Sequence, residues 1–399
     1  MMEEIAGLAQ AIRLNVLEVV KANIRKISAG HYIGEGTRAA IGEKVAQTNP
    51  TVVIVNAALS PVQQRNLEVE WNAKVIDRTG LILEIFGDRA QTAEGKMQVE
   101  LAALSYQRSR LVRSWTHLER QRGGAGFLGG PGETQIEIDR RIIDDKMAAL
   151  KIQLDQVRKN RDLQRKSRER VPYPVIALVG YTNAGKSTLF NRLTGADVFA
   201  QDLLFATLDP TMRRLKLPHG REVILSDTVG FISDLPTHLI AAFRATLEQV
   251  NYADIILHVR DISSSETESQ RNDVITILKE LGIEYDQNSK IIEVLNKIDR
   301  LDLNTDSWLR DPTLRGRQIP ISAVTGAGID ELLQAIESQL SRHYLEKIIT
   351  VPSANGKQIA WLHRHASVLR EHQDGEFLTL SISIDEAEYQ KYLAQFGTI

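Results

Sequence analysis

The sequence contains no cysteine and no long apolar run. Without cysteine the chain can form neither disulfides nor thiolate metal sites, which fits a reducing compartment. No stretch reaches the length of about 18 apolar residues that a membrane-spanning helix needs. The first twenty residues include acidic ones and lack the apolar centre of a secretory signal. We therefore expect a protein of the cytoplasm, in contact with a membrane at most at its periphery.

The charges of the chain are unevenly distributed. The formal net charge is only −2, yet residues 105–170 hold 16 basic and 9 acidic residues, a net charge of +7. Seven of those basic residues fall within residues 158–170. A solvated helix face explains most charge runs, but clustering of one sign in one segment also favours a contact with nucleic acid.

Apolar residues recur at helical spacing on both sides of a glycine-rich segment. Before it they are Met97, Leu101, Leu104, Leu111, Trp115 and Leu118, with Arg108 at a skipped apolar position. After it they are Ile143, Met147, Leu150, Leu154 and Val157. Spacings of three and four predict two helices that pack as an antiparallel hairpin. The six glycines between Gly123 and Gly132 would shape its tip, because glycine permits positive φ and close backbone approach.

Strands and helices alternate at both ends of the chain. Near the start, the β-branched stretch Thr51–Val55 predicts a buried strand, and residues 63–71 have the composition of a helix. The first 92 residues are therefore predicted to form a small α/β domain. Near the end, residues 350–358 predict a linker and residues 361–369 a helix. A strand is predicted from the alternation of Leu378, Leu380, Ile382 and Ile384.

Residues 180–187, GYTNAGKS, match the phosphate-binding pattern G-x-x-x-x-G-K-[ST]. The predicted strand Val175–Val179 precedes this motif and a predicted helix follows it, which is the context that the mechanism needs. The glycines let backbone N–H groups surround phosphates, and the helix N-terminus adds positive potential. Lys186 would bind the β- and γ-phosphates, and the hydroxyl of Ser187 would bind Mg²⁺.

Three further motifs follow predicted strands and favour guanine as the base. In ILSDTVGF, Asp227 can hold Mg²⁺ and the N–H of Gly230 can meet the γ-phosphate. In IIEVLNKID, a buried Asp299 can accept from N1–H and the 2-amino group of guanine, while Lys297 covers the base. Adenine has a lone pair in place of N1–H, and such sites discriminate by roughly 10⁴-fold. In IPISAVTG, the backbone of residues 322–323 can bind guanine O6.

Three positions bear on hydrolysis. Thr207, in FATLDPTMRR, is predicted to supply a second Mg²⁺ hydroxyl and to sense the γ-phosphate. Many GTPases place glutamine directly after D-x-x-G to orient the attacking water. This chain has Phe231 there, so we expect slow intrinsic turnover that an external factor accelerates. Asn183 in the phosphate loop can either hold a K⁺ ion that offsets phosphate charge or only shape the loop.

The nucleotide contacts predicted from these motifs form five groups. The first two are Gly180, Tyr181, Thr182, Asn183, Ala184, Gly185, Lys186, Ser187 and Thr188, and then Phe205, Ala206, Thr207, Leu208 and Asp209. The others are Asp227, Thr228, Val229 and Gly230, then Asn296, Lys297, Ile298 and Asp299, then Ser322, Ala323 and Val324. The residues assigned to hydrolysis are Lys186, Thr207, Gly230 and Asn183. Those assigned to Mg²⁺ are Ser187, Thr207 and Asp227.

With these residues identified, the chain resembles the HflX type of GTPase, a ribosome-associated group within the translation-factor-related P-loop class. The likeness extends over residues 32–369 and rests on the nucleotide motifs together with GPGETQIEIDRR and FATLDPTMRR. The resemblance implies an N-terminal α/β domain, a helical subdomain and a G domain that binds GTP and GDP. It also implies binding to the large (50S) ribosomal subunit and its rRNA, and the splitting or recycling of stalled or idle ribosomes.

The predicted fold class is α/β, with a P-loop GTPase domain, an N-terminal α/β domain, an antiparallel helical hairpin and a small α/β C-terminal piece. The predicted boundaries are 1–92 for the N-terminal domain, 93–170 for the basic hairpin, 171–346 for the GTPase domain and 347–399 for the C-terminal domain. We expect a monomer that hydrolyses GTP to GDP and phosphate, with Mg²⁺ as cofactor and K⁺ as a second candidate cation.

Two other classes of function stay open at this point. The first is a P-loop kinase or transport ATPase, which the guanine-type motif of Asn296, Lys297 and Asp299 opposes. The second is a GTP-dependent binding scaffold for which turnover matters little, and Phe231 favours that alternative. Nucleotide selectivity distinguishes the first from a GTPase, and single-turnover hydrolysis with and without ribosomes distinguishes the second.

Overall fold

The computed structural model describes residues 2–121, 135–168, 173–195, 205, 211–233, 250–285, 288–301, 318–341 and 344–397. These residues fall into two compact units. The first contains the described residues up to 157 together with Phe205, and the second contains the others. The predicted hairpin tip, residues 122–134, lies outside the described residues. Within the described part of the chain, no helix has the length and apolar character needed to cross a membrane.

The first unit begins with a small α/β arrangement around two parallel strands. Its elements are α1 (Met2–Ala11), α2 (Glu35–Thr48), β1 (Val52–Val55), α3 (Pro61–Trp71), β2 (Lys74–Asp77) and α4 (Arg78–Arg89). Val53 of β1 lies opposite Val75 of β2. Ser60 caps α3 by accepting from the N–H of Gln63, whose side chain accepts in return from the N–H of Ser60. The strand and the helix predicted in this region are confirmed, but β1 is only partly buried and not buried as expected.

Two long helices follow, α5 (Ala93–Gln121) and α6 (Gln135–Arg168). They lie side by side where Nε of Arg108 is 2.5 Å from Oδ1 of Asp144. Arg108 occupies the skipped apolar position, so an ion pair replaces an apolar contact there. The predicted apolar residue Leu150 is buried, whereas Ile152, two residues further on, is 70% exposed. The pair of helices predicted from the heptad spacing is confirmed, and Leu150 and Ile152 fall on different sides of α6.

The carboxylate of Asp77 fixes α5 to the end of β2. Its Oδ1 accepts from the hydroxyl of Tyr106 at 2.7 Å and from the N–H of Gly80 at 2.8 Å. Nη1 of Arg110 lies 3.7 Å from Oδ2. Burial, together with the neighbouring Asp77 carboxylate, raises the pKa of Tyr106, so its proton stays on the hydroxyl for this bond. The middle of α5 is thereby held by polar contacts with the buried Asp77.

A six-stranded sheet with helices forms the centre of the second unit. The strands are β3 (Val175–Gly180), β4 (Thr211–Lys216), β5 (Glu222–Asp227), β6 (Ile255–Asp261), β7 (Ile291–Asn296) and β8 (Gln318–Pro320), and the helices are α7 (Lys186–Thr194), α8 (Thr267–Glu280) and α9 (Ile329–Ser341). The strand order is β4-β5-β3-β6-β7-β8, with only β4 antiparallel to its neighbour. Helices cover parallel sheets on both faces, which explains why β3, β6 and β7 are almost wholly buried. The carboxyl ends of β3, β5, β7 and β8 share one edge, and a predicted nucleotide motif follows each.

A buried polar cluster joins β6 and β7. Oε2 of Glu293 accepts from Nη1 of Arg260 at 2.9 Å, and Oε1 accepts from Nε of Arg271 and from the hydroxyl of Tyr285. Burial opposes the charge of Glu293, but the bonds from Tyr285 and Arg271 outweigh it and lower its pKa to about 2. Nδ1 of His258 lies 2.6 Å from the same hydroxyl, and burial lowers the pKa of His258 to about 3. Since Tyr285 donates to Glu293, the neutral imidazole donates to Tyr285.

The last elements of the chain are three antiparallel strands and two helices. They are β9 (Tyr344–Pro352), α10 (Gly356–His365), β10 (Ser367–Asp374), β11 (Phe377–Asp385) and α11 (Glu386–Phe396). The strand order is β10-β11-β9, and the inward residues of β11 belong to a separate core with Leu362 and Tyr392. The strand predicted from the alternation at residues 378–384 is confirmed.

Two predictions for this region are wrong. Residues 350–352, expected in a linker, belong to β9 because Thr350 pairs with Thr379 and Pro352 with Phe377. The helix expected at residues 361–369 begins earlier and ends at His365, because Asn355 caps it and residues from Ser367 onward pair with β11. β9 also crosses the predicted boundary at 346. The bounds of β9 and α10 are decided by the pairing of β9 and β10 with β11 and not by local composition.

Candidate nucleotide-binding site

The phosphate loop connects β3 to α7, and two of its glycines are required by close neighbours. Gly180 has φ +152°, and a Cβ there would overlap the carbonyl oxygen of Val259. Gly185 has φ +95° and precedes the first residue of α7, and a Cβ there would overlap the amide of Asn296. No other residue type fits these backbone positions without displacement of the neighbours. The N-terminus of α7 therefore opens directly onto the loop, as an anion site requires.

Lys186 is the first residue of α7, and its side chain is buried beneath the loop. Its ammonium donates to the carbonyl oxygens of Gly180 at 3.1 Å and Tyr181 at 2.8 Å. Burial lowers the pKa of Lys186 to about 8; repulsion from Lys297 acts in the same direction and the Asp227 carboxylate opposes it. A bound phosphate would favour the charged form of this lysine. The two carbonyl oxygens hold the Lys186 ammonium at the loop, where it can bind an anion.

Ser187 and Asp227 meet at the predicted metal position. Asp227 ends β5 and is fully buried, and its Oδ2 accepts from the hydroxyl of Ser187 at 2.8 Å. A hydroxyl and a carboxylate are hard oxygen ligands of the kind that Mg²⁺ binds together with phosphates and water. No group of three or more His, Asp or Glu side chains suited to a metal occurs among the described residues. A donor set of one hydroxyl and one carboxylate fits a cation that is shared with nucleotide phosphates.

Asn296 joins two loops of the site. Its Nδ2 donates to the carbonyl oxygen of Ala184 at 2.8 Å, and its Oδ1 accepts from the N–H of Ala323 at 3.0 Å. Lys297 adopts φ +69°, and its ammonium lies 2.7 Å from Oδ2 of Asp261. Asp299 is exposed, which corrects the expectation of a buried carboxylate. The Asp299 carboxylate would therefore become buried only when a guanine base is bound against it.

The loop after β8 is held by a residue that the sequence motifs did not identify. Arg192 of α7 donates through Nε to the carbonyl oxygen of Ala323 at 3.1 Å and through Nη2 to that of Val324. Within the loop, Oγ of Ser322 accepts from the N–H of Thr325. The guanidinium thus helps to orient the backbone predicted to bind guanine O6. Its position in LFNRLTG, outside every nucleotide motif, offered no signal of this contact.

The segment after Asp227 lies against the phosphate loop. The hydroxyl of Thr228 donates to the carbonyl oxygen of Leu178 at 2.5 Å, so this side chain points into the sheet. Phe231 is only 1% exposed. A buried phenyl ring neither donates to nor accepts from water, so Phe231 cannot replace the water-orienting glutamine of other GTPases.

Two further predicted positions have distinct environments. Asn183 is exposed with φ +59°, a conformation that asparagine tolerates better than most residues. Phe205 is buried, and its ring packs edge-on against Phe86 with the centroids 4.7 Å apart.

The four predicted residues Ala206, Thr207, Leu208 and Asp209 lie outside the described residues. The described members of the other motifs all lie in the second unit, with Gly185, Lys186, Asp227 and Asn296 around one loop.

Family models match consecutive parts of the chain. They are described as GTP-binding GTPase N-terminal for residues 1–87, GTP-binding GTPase Middle Region for 89–168, 50S ribosome-binding GTPase for 175–297 and HflX C-terminal domain for 312–398. Each match is thus to a part of a GTP-binding protein, and together they extend over most of the chain.

Curated proteins and a solved structure agree with these matches. The chain is 48% identical over 387 residues to the GTPase HflX of Magnetococcus marinus, covering 97% of this chain and 88% of that protein. It is 41% identical over 396 residues to the GTPase HflX of Escherichia coli K12, covering 99% and 92%. A crystal structure of SsGBP in complex with GDP matches with a TM-score of 0.51 and 25% identity, over 84% of this chain and 94% of that one.

Proposed function

The chain belongs to the HflX family of GTPases, and from that premise we propose that it binds the large ribosomal subunit and splits or recycles stalled or idle ribosomes. As a member of this family it binds and hydrolyses GTP. The observation that carries the proposed partner is the match of residues 175–297 to a 50S ribosome-binding GTPase. The net charge of +7 on residues 105–170 supports it, because basic side chains neutralise rRNA phosphates.

Mg²⁺ is the cofactor that we propose for this site. Ser187 and Asp227 would hold it, together with Thr207, whose role follows from the motif alone. When bound, the ion would neutralise charge that develops on the β- and γ-phosphates. Lys186 would bind the same phosphates from beneath the loop, and the N–H of Gly230 would meet the γ-phosphate. These groups would position the phosphates and stabilise their negative charge. Positioning and charge stabilisation account for most of the catalysis of phosphoryl transfer.

Co-sedimentation with ribosomal particles tests the proposed partner. With a non-hydrolysable GTP analogue, we expect the protein to pellet with 50S and 70S particles, and much less with 30S subunits. With GDP, binding should weaken, because the large subunit is expected to select the GTP-bound form. Equal recovery with 30S and 50S particles, or no recovery with either, would contradict the proposal. A GTPase without ribosomal partners would then be the better description.

We propose that a K⁺ ion near Asn183 contributes to hydrolysis, since Phe231 cannot orient the water. An arginine finger raises GTPase rates by roughly 10³- to 10⁵-fold, so even a partial charge substitute should be measurable. Turnover should be at least about tenfold faster in K⁺ than in Na⁺ of equal concentration. Asn183→Gly removes the amide while it keeps the φ of +59° accessible, and it should abolish the difference. Equal rates in both salts for the parent would leave Asn183 only the role of shaping the loop.

A further inference from the structure

The segment after Asp227 is joined to the phosphate loop by backbone hydrogen bonds. The N–H of Thr182 donates to the carbonyl oxygen of Phe231 at 2.7 Å, and the N–H of Phe231 donates to that of Gly180 at 3.1 Å. Tyr181 and Phe231 form a parallel bridge through this pairing. Phe231 is therefore paired with the loop that is to receive the phosphates.

A chain of side-chain contacts reinforces this pairing from outside the nucleotide motifs. The hydroxyl of Tyr181 lies 2.7 Å from Oγ of Ser233, and the N–H of Ser233 donates to the Tyr181 oxygen at 3.0 Å. Oγ of Ser233 lies 2.7 Å from Oδ2 of Asp273 on α8. An ionised carboxylate only accepts, so Ser233 donates to Asp273 and Tyr181 donates to Ser233. Each proton in the chain then has one acceptor.

This arrangement closes the space beside the phosphate loop at Gly230. A Cβ built there would lie 2.9 Å from Cγ2 of Thr182 and 3.0 Å from Nζ of Lys186, so no further atom fits between them. Both the N–H of Gly230 and the ammonium of Lys186 are expected to bind the γ-phosphate. Because Gly230 and the Lys186 ammonium lie this close together, we expect residues 230–231 to move away from the loop when a γ-phosphate binds to both groups.

The hydroxyl of Thr182 supports the same conclusion independently. Its Oγ1 is buried and has no hydrogen-bond partner among the described residues, and Cγ2 of the same side chain is the atom nearest to a Cβ built at Gly230. A buried hydroxyl without a partner is unfavourable, and a phosphate oxygen next to it would remove that penalty. The closed arrangement therefore has a cost that an entering γ-phosphate would relieve.

We propose that Tyr181, Ser233 and Asp273 are positioning residues that set the preference of the site for GDP over GTP. Their contacts hold Gly230 against the phosphate loop, and GTP binds only to the fraction of molecules in which these contacts are broken. GDP lacks the γ-phosphate and binds without that opening. The apparent affinity for GTP is the intrinsic affinity multiplied by the open fraction, whereas the affinity for GDP does not depend on that fraction.

Nucleotide affinities of two variants test this proposal. Ser233→Ala removes the central hydroxyl, and Asp273→Ala removes the acceptor while it keeps a residue that favours the α8 helix. Each should raise the affinity for a fluorescent non-hydrolysable GTP analogue about tenfold relative to that for fluorescent GDP, which corresponds to about 1.4 kcal/mol. Adding Tyr181→Phe to Ser233→Ala should change the ratio little further, because both act through one set of contacts.

Asn272→Ala is the matched control, since Asn272 is the exposed neighbour of Asp273 on α8. It should leave the ratio of the two affinities unchanged. A second control is Tyr285→Phe, which removes a buried tyrosine hydroxyl elsewhere in the same unit and should lower the melting temperature without altering the ratio. If the Ser233 and Asp273 variants bind GDP normally and keep the parental ratio, the three residues only stabilise the fold. Weaker binding of the GTP analogue in these variants would also overturn the proposal.

Discussion

Asp299→Asn is expected to transfer the base preference of this GTPase from guanine to xanthine. The Asp299 carboxylate can accept from both N1–H and the 2-amino group, whereas an asparagine amide has only one acceptor. Hydrogen bonds to charged groups contribute about 1.5–3 kcal/mol each, so the loss of one or both corresponds to roughly 10- to 10⁴-fold in GTP affinity. Xanthosine triphosphate carries a 2-oxo group that the new amide N–H can meet, and its affinity should rise.

The position of Asp299 explains why this effect should be large and specific. The residue lies in a short 3-10 helix, Ile298–Arg300, that directly follows β7 and Lys297. Its carboxylate is exposed in the described structure, so the substitution removes no buried contact on which the fold depends. The ion pair between Lys297 and Asp261 also stays intact. We therefore expect an altered base preference without a large change in the melting temperature.

Competition between the two triphosphates for binding measures the prediction directly. Asp330→Asn is a suitable control, because it removes an exposed carboxylate at the start of α9 that belongs to no base-recognition motif. The control should prefer GTP as strongly as the parent. An Asp299→Asn protein with the parental preference for GTP would show that Asp299 does not recognise the base.

Reversing four charges on α6 is expected to produce the second large effect. Arg158, Lys159, Arg161 and Arg165 lie within one continuous helix, in the segment that holds seven basic residues. Each phosphate neutralised by a basic side chain contributes about 0.7 to 0.9 to the log–log slope of binding against salt. Replacing all four with glutamate should weaken 50S binding by on the order of 10²-fold at physiological salt and flatten this slope.

GTP affinity should not change in that variant, because none of the four residues belongs to a nucleotide motif. A matched control reverses Lys279, Lys357, Arg364 and Arg370, four exposed basic residues outside the segment, and so alters the net charge equally. The control should bind 50S subunits nearly as the parent does. Similar losses in both variants would point to net charge alone, and unchanged binding in both would make residues 158–165 an ordinary solvated helix face.

Much of the site could be predicted from sequence because its requirements are local. The phosphate loop needs glycine where the backbone has positive φ or where a neighbour is close, and Gly180 and Gly185 meet those needs within one short segment. Asp227 and Asn296 each end an apolar strand, and parallel strands bring their carboxyl ends to one edge. The order of the motifs along the chain therefore predicted which residues meet.

The predictions that were wrong depended on strand pairing or on side-chain burial. Thr350 belongs to β9 only because Thr379 pairs with it, and no pattern within residues 350–358 announces that partner. The cap of α10 did have a local signal, since Asn355 is followed three residues later by Gln358, which donates its N–H to the Asn355 side chain. Asp299 was expected to be buried, yet it lies at the surface, because no element of the described structure covers it.

The sequence by itself determined the class of this protein, the order of its nucleotide motifs and the pair of long helices, because each depends on residues close together in the chain. Only the tertiary structure decided how these parts are held. Tyr181 meets Ser233 across 52 residues, Ser233 meets Asp273 across 40, and Arg192 reaches Val324 across 132. Hydroxyls, carboxylates and guanidinium groups form such contacts from many sequence contexts. Their partners are therefore set by how strands and helices pack and not by any local pattern.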